Sequence, residues 1–485
     1  MAQAVRLSFL SLALVAASFM LLDVPTSNAA TVDETDFTRA TLAGAGFATI
    51  FPTSLAFGPD GRLYVADQNG RIQALTLNAA GTSITAVEEV TTDADLQEVF
   101  GIAFDPSDGS SPPPVYVTNA VSGFGVDGPA PAGSFPGKVT RIDGPGYSTI
   151  TDIITGLSTS DSAHQANGLA FGPDGRLYIA HGSTTNAGVE TTPGFGLFER
   201  PDVPLSGAML VADINAGGFD GAVTYDPSGT YSSTVDQISG DVSVYAPGLR
   251  NPYDLVWHSN GKLYATDNGP NAGLGGGSTS CTPETEDPDP WAPDSRGPDE
   301  LNLIVEDDYY GQPNRNRGRI DVRQCVYHNG TEGDGADWTG PIDLLPVSTN
   351  GLVEYTSSVF SGKLVGNLFY VGLIDGVLGR MELSGDGQSV VSNDTAFASG
   401  FSFPLDVTTR SDGTIYVAEF GAGVITYLKP NAPPPVGGIS IGGGIGALSD
   451  SGAGYTGWFI AGAMALVASV TISTALAWRV ARRRN

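Results

Sequence analysis

The chain has 485 residues, 65 glycines, 32 prolines and a formal net charge of −29. This glycine and proline content indicates many tight turns between short strands, which excludes an ordinary all-helical protein. The 23 Lys and Arg residues are too few for a phosphate-binding surface in so acidic a chain, which excludes nucleic acid as a partner.

Residues 1–29 have the layout of a secretory signal peptide. One early basic residue, Arg6, precedes an apolar run from Leu7 to Leu22, and small residues end the segment at Ala29. This order is typical of a leader that is cleaved after export. An uncleaved membrane anchor is the alternative.

One sequence phrase recurs through residues 31–430. The phrase "SLAFGPDGRLYVADQNGRIQAL" returns as "GLAFGPDGRLYIAHG" and in looser forms, and the six copies begin at Ser54, Gly101, Gly168, Asp254, Gly366 and Asp406. Each copy reads as two alternating apolar runs around an Asp-Gly or Asn-Gly turn, which predicts a β-hairpin. Six such units predict an all-β protein with a six-bladed β-propeller. A β-sandwich also has evenly spaced strands, but it does not repeat one phrase at each hairpin.

Polar residues precede four of these copies at one place. Seven positions before the end of the first apolar run stand Ile50, His164, Arg250 and Ser402, with Gln97 as the nearest equivalent in the second copy. The innermost strands of a propeller line its channel. We therefore expect Gln97, His164 and Arg250 at one channel mouth. A hydrogen-bonded loop histidine and an arginine bound to carbonyls between blades are the alternatives.

A turn and an acidic pair flank an insertion in the fourth copy. The insertion spans 274–296, and without it Gly269 and Pro270 come next to Asp299 and Glu300. Carboxylates and backbone carbonyls are ligands that calcium prefers. These four residues are therefore a candidate calcium site, and an acidic loop without an ion is the alternative.

Two cysteines are present, Cys281 and Cys325. An exported protein is in an oxidising environment, and no third cysteine competes for pairing, so we expect one disulfide. A bridge closing a loop of this size stabilises by roughly 3–4 kcal/mol in the chain-entropy model. A metal site or a catalytic thiol would need closer His and Cys spacing.

The C-terminal region predicts a stalk and a membrane anchor. Residues 431–456 are rich in Pro and Gly and cannot form a core. Residues 457–478 carry no charge and are long enough to cross a bilayer as a helix, and the basic tail 479–485 follows. The positive-inside rule keeps this tail in the cytoplasm and the propeller on the extracellular side of the cell membrane, as a single-pass protein. A sorting signal that is removed after export is the alternative.

These motifs carry a family resemblance. The segments "PGLRNPYDLVWHSNGKLYATDNGP" and "GPDELNLIVEDDYYGQP" resemble the central signature of the soluble glucose/sorbosone dehydrogenases. "HQANGLAFGPDGRLYIAHG" is similar to that family's catalytic-histidine segment, and "DADLQEVFGIAFDPSD" to its glutamine-bearing second blade. The resemblance implies a six-bladed propeller that oxidises a sugar or an aldehyde with pyrroloquinoline quinone (PQQ) and calcium.

The resemblance also implies residue roles. His164 would be the general base that takes the proton of the sugar C1 hydroxyl while hydride moves to the quinone. Arg250 would pair with a carboxylate or quinone oxygen of PQQ, and Gln97 and Asn251 would orient the cofactor. The carbonyls of Gly269 and Pro270 would hold calcium. Asp299 would bind a neighbouring ion.

Several positions depart from the family pattern. Ala163 stands where an aspartate usually precedes the histidine, and "YYGQP" lacks the usual tryptophan. Ile374 or Asp375 takes the place of a lysine, and apolar residues around Phe403 and Leu405 replace an arginine pair. Three functions therefore stay open: an exported, membrane-tethered PQQ-type dehydrogenase, a non-catalytic calcium-containing propeller that binds carbohydrate or protein, and a calcium-dependent lactonase-type hydrolase.

Overall fold

A computed structural model describes residues 31–92, 96, 98–120, 135–160, 163–191, 197–228, 231–272, 274, 277–281 and 297–431. Five predicted features lie outside these residues: the signal peptide, Gln97, the stalk beyond Asn431, the apolar segment 457–478 and the basic tail. The chain divides into two units, Met1–Val32 and Asp33–Asn485, and every strand below belongs to the second.

The strands form six four-stranded antiparallel sheets, the blades. The first strand is β1 (Phe37–Thr41). Blade 1 contains β2 (Pro52–Phe57), β3 (Leu63–Asp67), β4 (Ile72–Leu77) and β5 (Ile84–Thr91). Blade 2 contains β6 (Gly101–Ala103), β7 (Val115–Asn119), β8 (Gly137–Asp143) and β9 (Thr149–Leu157). Blade 3 contains β10 (Ala166–Phe171), β11 (Leu177–His181), β12 (Ala208–Ala212) and β15 (Val242–Pro247), with the hairpin β13 (Thr224–Asp226) and β14 (Asp236–Ser239) inserted.

Blade 4 contains β16 (Pro252–Trp257), β17 (Leu263–Asp267), β18 (Asp299–Ile304) and β19 (Asp343–Leu345). Blade 5 contains β20 (Thr349–Tyr355), β21 (Asn367–Gly372), β22 (Val377–Leu383) and β23 (Val390–Ser399). Blade 6 contains β24 (Pro404–Thr409), β25 (Ile415–Glu419) and β26 (Val424–Pro430), completed by β1. The predicted six-bladed β-propeller is confirmed.

The ring is closed by strands from both ends of the propeller. β1 pairs with β26, from Phe37 opposite Pro430 to Thr41 opposite Thr426. The innermost strands β2, β6, β10, β16, β20 and β24 contact one another in this order, and β24 also contacts β2. The junction of blades 3 and 4 therefore lies opposite the junction of blades 6 and 1.

The repeated phrase is explained by its turn. Gly61 has φ +76°, a conformation that disfavours other residues, and Asp60 accepts the N–H of Arg62 at 3.1 Å. The Arg62 side chain pairs with Asp60 at 2.6 Å, and the Tyr64 hydroxyl donates to the same carboxylate at 3.0 Å. Asp174, Arg176 and Tyr178 make the same three contacts in blade 3. The turn chemistry therefore selects the phrase "DGRLY".

One copy of the phrase lies on different strands from the others. In the other five blades the phrase covers the first and second strands, but the copy that begins at Gly366 covers β21 and β22, the second and third strands of blade 5. The innermost strand of that blade is β20, which carries "TNGLVEY" and no copy of the phrase. Contacts with the innermost strands β16 and β24 place it in the ring.

Within the described ranges, helices are few and short. The α-helix α1 spans Arg315–Gly318, and 3-10 turns lie at Glu34–Asp36, Pro145–Tyr147, Val322–Cys325, Gly330–Glu332 and Val359–Gly362. Within the ranges given above, no helix is long and apolar enough to cross a membrane. The disulfide between Cys281 and Cys325 is confirmed, and both sulfur atoms pack against Gly318.

Candidate active site

The repeat places His164 and Arg250 at equivalent positions. His164 lies two residues before β10 and Arg250 two residues before β16, as Ile50 precedes β2 and Ser402 precedes β24. The Arg250 carbonyl accepts the N–H of Ser183 at 2.7 Å, and the Ser183 carbonyl contacts the His164 ring. The structure therefore brings His164 and Arg250 together on either side of one backbone segment.

The His164 ring has a defined orientation. Nδ1 lies 2.7 Å from the Ser183 carbonyl oxygen, and the Ser160 hydroxyl accepts the His164 backbone N–H at 2.6 Å. Because a carbonyl oxygen only accepts, Nδ1 carries the proton of the neutral ring and Nε2 keeps its lone pair. No described residue hydrogen-bonds to Nε2. The ring is thus poised to accept a proton at Nε2.

Burial and charge keep this histidine neutral. The side chain is 2% exposed, and burial, with the positive charge of Arg250, holds its pKa well below the usual range. The hydrogen bond to Ser183 opposes this shift only in part. The neutral, proton-accepting form therefore persists into acidic solution.

Arg250 is a buried cation without a carboxylate partner among the described residues. Its Nε and Nη1 donate to the carbonyls of Asn186 at 2.9 Å and Asn268 at 3.0 Å, and Nη2 donates to Asn186 Oδ1 at 2.6 Å. Burial lowers the Arg250 pKa to about 10, although Asp267 and Asp299 oppose this shift. A guanidinium has five N–H groups, so this charge can still bind an anion.

Both polar groups of the Asn251 side chain form hydrogen bonds with neighbouring residues. Its Nδ2 donates to Asn268 Oδ1 at 3.0 Å, and its Oδ1 accepts from Asn167 Nδ2 at 2.8 Å. Gly182 packs so closely that an added Cβ would lie 2.7 Å from both Asn251 Oδ1 and His164 Cβ. Asn251 therefore links Asn167 to Asn268 at the site. These hydrogen bonds compete with the predicted contact between Asn251 and the cofactor.

The sequence reasoning missed the residues that support His164. Asp202 accepts the Thr184 N–H at 2.8 Å and the hydroxyl groups of Ser183 and Thr185 at 3.0 and 2.6 Å. Phe198 packs its ring 4.8 Å from His164 and has φ +57°, a strained conformation for a bulky residue. The run "STT" after β11 is a signal for such a network, but nothing in the sequence connects it with Asp202.

The four predicted calcium ligands do not form one cage. Gly297 donates to the Pro270 carbonyl at 3.1 Å, so the two flanks of the insertion meet. Asp299 Oδ1 accepts the Gly269 N–H at 2.9 Å, and Oδ2 accepts from Asn268 at 2.8 Å and from the Thr349 N–H at 2.6 Å. Both oxygens of Asp299 are therefore occupied by protein donors.

Glu300 lies apart from Asp299. Successive side chains of β18 point to opposite faces, and Glu300 contacts Asn302 at 3.1 Å and the backbone of Gly330 instead. Burial raises the pKa of Asp299 to about 7 and that of Glu300 to about 8. In the described part of the chain no three His, Cys, Asp or Glu side chains converge as a metal cluster. Of the predicted set, the carbonyls at Gly269 and Pro270 remain the candidates for calcium.

The opposite side of the mouth is apolar. Ile50, Phe51 and Phe403 are 62%, 39% and 46% exposed, and the Phe51 ring lies 5.0 Å from the ring of Phe420. Phe403 has φ +47° and packs against Gly421, and the Ile50 carbonyl packs against Gly423. We call Ile50, Phe51, Phe403 and Phe420 the apolar rim.

The residues at the site fit one end of PQQ. His164 offers a proton acceptor and Arg250 a positive charge, and the resemblance implies that such groups suit its reacting quinone. The resemblance expects cations at the positions that bind its carboxylates, but none of the residues there is a cation. They are the partly buried Ile374, the exposed Asp375, and Phe403 with the buried Leu405. Arg380 does not replace them, because it lies on the third strand of blade 5 and donates to Asn367 at 2.6 Å.

The family model "Glucose / Sorbosone dehydrogenase" matches residues 50–425. A quinoprotein glucose dehydrogenase B of Acinetobacter calcoaceticus is 26% identical over 279 residues, which are 54% of this chain and 50% of the relative. The chain thus matches about half the length of this curated relative.

Solved structures show the same fold. The PQQ-bound aldose sugar dehydrogenase of Streptomyces coelicolor superposes with a TM-score of 0.51 at 18% identity, covering 81% of this chain and 98% of that one. The apo form of the soluble aldose sugar dehydrogenase of Escherichia coli gives 0.53 at 18% identity, covering 81% and 99%. Because the family model covers most of the propeller, the chain belongs to the glucose/sorbosone dehydrogenase family.

Proposed function

We propose that the protein is an exported, membrane-tethered oxidoreductase that oxidises a sugar or an aldehyde, with His164 as the general base. The observation that carries the proposal is the pair formed by His164, with its free Nε2, and Arg250, with no carboxylate partner in the described ranges. The family match supports the reaction class.

His164 supplies the base. Nε2 accepts the proton of the substrate C1 hydroxyl as the C1–H bond breaks, and the Ser183 carbonyl holds Nδ1–H throughout. The imidazolium that forms is stabilised by this same hydrogen bond. The two electrons and the hydrogen of the C1–H bond leave as hydride, so an aldose becomes a lactone.

Arg250 supplies positive charge where negative charge develops. A bound PQQ would accept the hydride, held by Arg250 and Asn251, with Gln97 as a further partner and calcium at the carbonyls of Gly269 and Pro270. The guanidinium is preorganised by Asn186 and Asn268 and so needs no rearrangement during the reaction. Because one cation faces three carboxylates, cofactor binding depends strongly on Arg250 and on calcium.

Reconstitution tests this proposal. The purified full chain is loaded with PQQ and Ca²⁺, and dye reduction is screened with aldoses and aldehydes. We expect turnover with at least one substrate and none in the presence of a calcium chelator. If no aldose or aldehyde is oxidised although PQQ binds, the oxidoreductase proposal is wrong.

The apolar rim favours a second candidate function. Exposed aromatic rings can stack on sugars or on apolar protein side chains, and His164 is only 2% exposed. A non-catalytic propeller would bind carbohydrate at this rim. Glycan binding that survives His164→Gln but is lost in Phe403→Ala would support this candidate over the dehydrogenase.

The location is part of the proposal. We infer a cleaved signal at residues 1–29 and a single-pass anchor at residues 457–478, with the propeller outside the cell. Protease treatment of intact cells should remove the propeller and leave a membrane-bound C-terminal fragment. A propeller that is protected until the cells are lysed would contradict this topology.

A further inference from the structure

Asn186 binds the guanidinium of Arg250 with two oxygen atoms. Its backbone carbonyl accepts from Arg250 Nε at 2.9 Å, and its side-chain Oδ1 accepts from Nη2 at 2.6 Å. Asn186 is 0% exposed, so both bonds form away from solvent. Two acceptors on one residue fix the position and the plane of a guanidinium, because its N–H groups have a rigid geometry. Asn186 therefore sets the orientation of the Arg250 charge.

The same side chain holds the turn that follows β17. Asn186 Oδ1 also accepts the N–H of Asn271 at 3.0 Å, and Nδ2 donates to the Asn271 carbonyl at 2.9 Å. This pair of bonds needs an acceptor and a donor on one planar group, which an amide provides and an ionised carboxylate does not. Arg250 Nη1 binds the other end of the turn at the Asn268 carbonyl. Asn186 thus joins Arg250 to residues 268–271, which include the candidate calcium carbonyls.

The chain directly after Asn186 is bound to the segment 277–281. Gly188 forms an isolated antiparallel β-bridge with this segment, and the Ser278 N–H donates to the Ala187 carbonyl at 2.9 Å. Gly188 has φ +95°, and an added Cβ would lie 2.8 Å from Ser278 Cβ, so the two stretches of backbone are in close contact. A displacement of the segment 277–281 would therefore move Asn186.

The disulfide holds the other end of this segment. Cys281 is bonded to Cys325, and Ser278 Oγ donates to the Cys325 carbonyl at 2.6 Å. The Ser278 carbonyl accepts the N–H of Tyr327 at 2.8 Å. The segment 277–281 contains none of the helices or strands named above, so these bonds define where it lies. A disulfide removes conformational freedom from a chain of this kind.

A short path leads from the disulfide to Arg250. The path runs from Cys325 to Ser278 and from there to Ala187, both times by a hydrogen bond. Ala187 is covalently linked to Asn186, which binds Arg250. All five residues are buried, so a displacement of one has to be accommodated by the next. Opening the disulfide should therefore affect the guanidinium.

We propose that Asn186 is a positioning residue for Arg250 and that the Cys281–Cys325 disulfide keeps Asn186 in place. An intact disulfide then strengthens cofactor binding, because Arg250 is the cation expected to bind PQQ. This effect on PQQ rests on the proposed function, whereas the support of Arg250 and of the turn 268–271 does not. A disulfide that contributes only to overall stability is the alternative. It predicts no change at either place while the chain stays folded.

Hydrogen exchange in the cofactor-free protein tests the support directly. The full chain in detergent is compared before and after dithiothreitol converts the disulfide to two thiols, and exchange is followed at the Asn271 N–H. We expect at least about tenfold faster exchange in the reduced protein and in Asn186→Ala, since this N–H loses its acceptor or holds it less firmly. The matched control Asn78→Ala removes an asparagine that binds the backbone of a turn in blade 1 and should leave this exchange unchanged.

PQQ affinity tests the consequence for the cofactor. Equilibrium dialysis should show that reduction and Asn186→Ala each weaken PQQ binding about tenfold, the size expected for one charge-assisted hydrogen bond. In an Arg250→Gln background neither change should weaken binding further, because the positioned charge is gone. A purely structural role of Asn186 would still lower the affinity in this background.

Two further variants keep the test decisive. In Cys281→Ser/Cys325→Ser dithiothreitol should have no effect, which shows that the reagent acts through the disulfide. If this variant does not fold by circular dichroism, Ser278→Ala keeps the disulfide, removes the bond to the Cys325 carbonyl and should still speed exchange at Asn271.

Unchanged exchange at Asn271 in the folded, reduced protein and in Ser278→Ala would overturn the inference. An equal loss of PQQ affinity with and without Arg250 would also overturn it. If the wild type binds no PQQ, the proposed function fails, and exchange at Asn271 alone decides whether the disulfide and Asn186 support the turn.

Discussion

The junction of blades 3 and 4 and the junction of blades 6 and 1 lie opposite each other in the ring, but they are built from opposite residue types. His164 and Arg250 are buried at the first junction and held by neighbouring backbone carbonyls. Ile50 and Phe403 are exposed at the second and form no polar contact of this kind through their side chains. The repeat therefore provides equivalent positions, and the residue at each position decides its chemistry.

The contrast also shows where backbone strain is used. Phe198 at the polar junction and Phe403 at the apolar rim both have positive φ, at +57° and +47°. Phe198 is fully buried against His164, whereas Phe403 presents its ring to solvent. Strain on a bulky residue persists only where the surrounding structure maintains it, so both positions are candidates for function.

Removing the proposed base at the junction of blades 3 and 4 should cause the largest loss of turnover. His164→Gln keeps a polar side chain of similar length but not an imidazole base, so turnover of the reconstituted enzyme should fall by about 10²–10⁴-fold. Single-turnover dye reduction measures the change. The control His328→Gln alters a histidine stacked on Trp338 and should leave turnover unchanged. Equal loss in both variants would show that His164 has no special role.

Loosening the support of His164 should have a smaller effect. Asp202→Ala removes the acceptor of Ser183, Thr184 and Thr185, so the Ser183 carbonyl should shift and the imidazole should lose its orientation. Misplacement of this kind costs up to about 10²-fold in rate. We expect kcat to fall while PQQ affinity, measured by equilibrium dialysis, stays near the wild-type value. Loss of PQQ binding with unchanged kcat would contradict this positioning role.

A cation introduced at the apolar rim should make the junction of blades 6 and 1 contribute to cofactor binding. Phe403→Arg places a guanidinium where the family resemblance expects one, and a charge-assisted hydrogen bond contributes about 1.5–3 kcal/mol. PQQ should therefore bind at least about tenfold more tightly by equilibrium dialysis. Phe403→Gln is the matched uncharged control. Unchanged PQQ affinity in Phe403→Arg would mean that the rim does not face the cofactor.

The charge of Arg250 should change how kcat/KM depends on pH. Burial and Arg250 lower the His164 pKa, so kcat/KM should stay constant as pH falls through the ordinary range of histidine and decline only in more acidic solution. Arg250→Gln removes a positive charge, which should raise the His164 pKa and move this decline to higher pH. A decline at the same pH in the variant would show that Arg250 does not act on His164.

The repeated phrase was enough to predict six blades because it encodes a local structure. The bonds among Asp60, Arg62 and Tyr64 lie within one hairpin, so neighbouring residues in the sequence determine them. The disulfide could be predicted because the chain has only two cysteines. The innermost strand of blade 5 could not be predicted from the phrase, because no copy covers it and its position depends on contacts with β16 and β24, which are distant in the sequence.

The sequence by itself determined the propeller, the number of its blades and the residues at equivalent strand ends, because hairpin turns and the repeat are local. Only the tertiary structure showed that Asp202 supports His164 through residues 183–185, that Asp299 is occupied by three N–H donors, and that Asp254 and Asp406 accept N–H groups of neighbouring blades. These contacts join residues from separate strands and loops, and burial then changes their pKa. Neither distance nor burial is encoded in any short stretch of the chain, since both arise only when the ring closes.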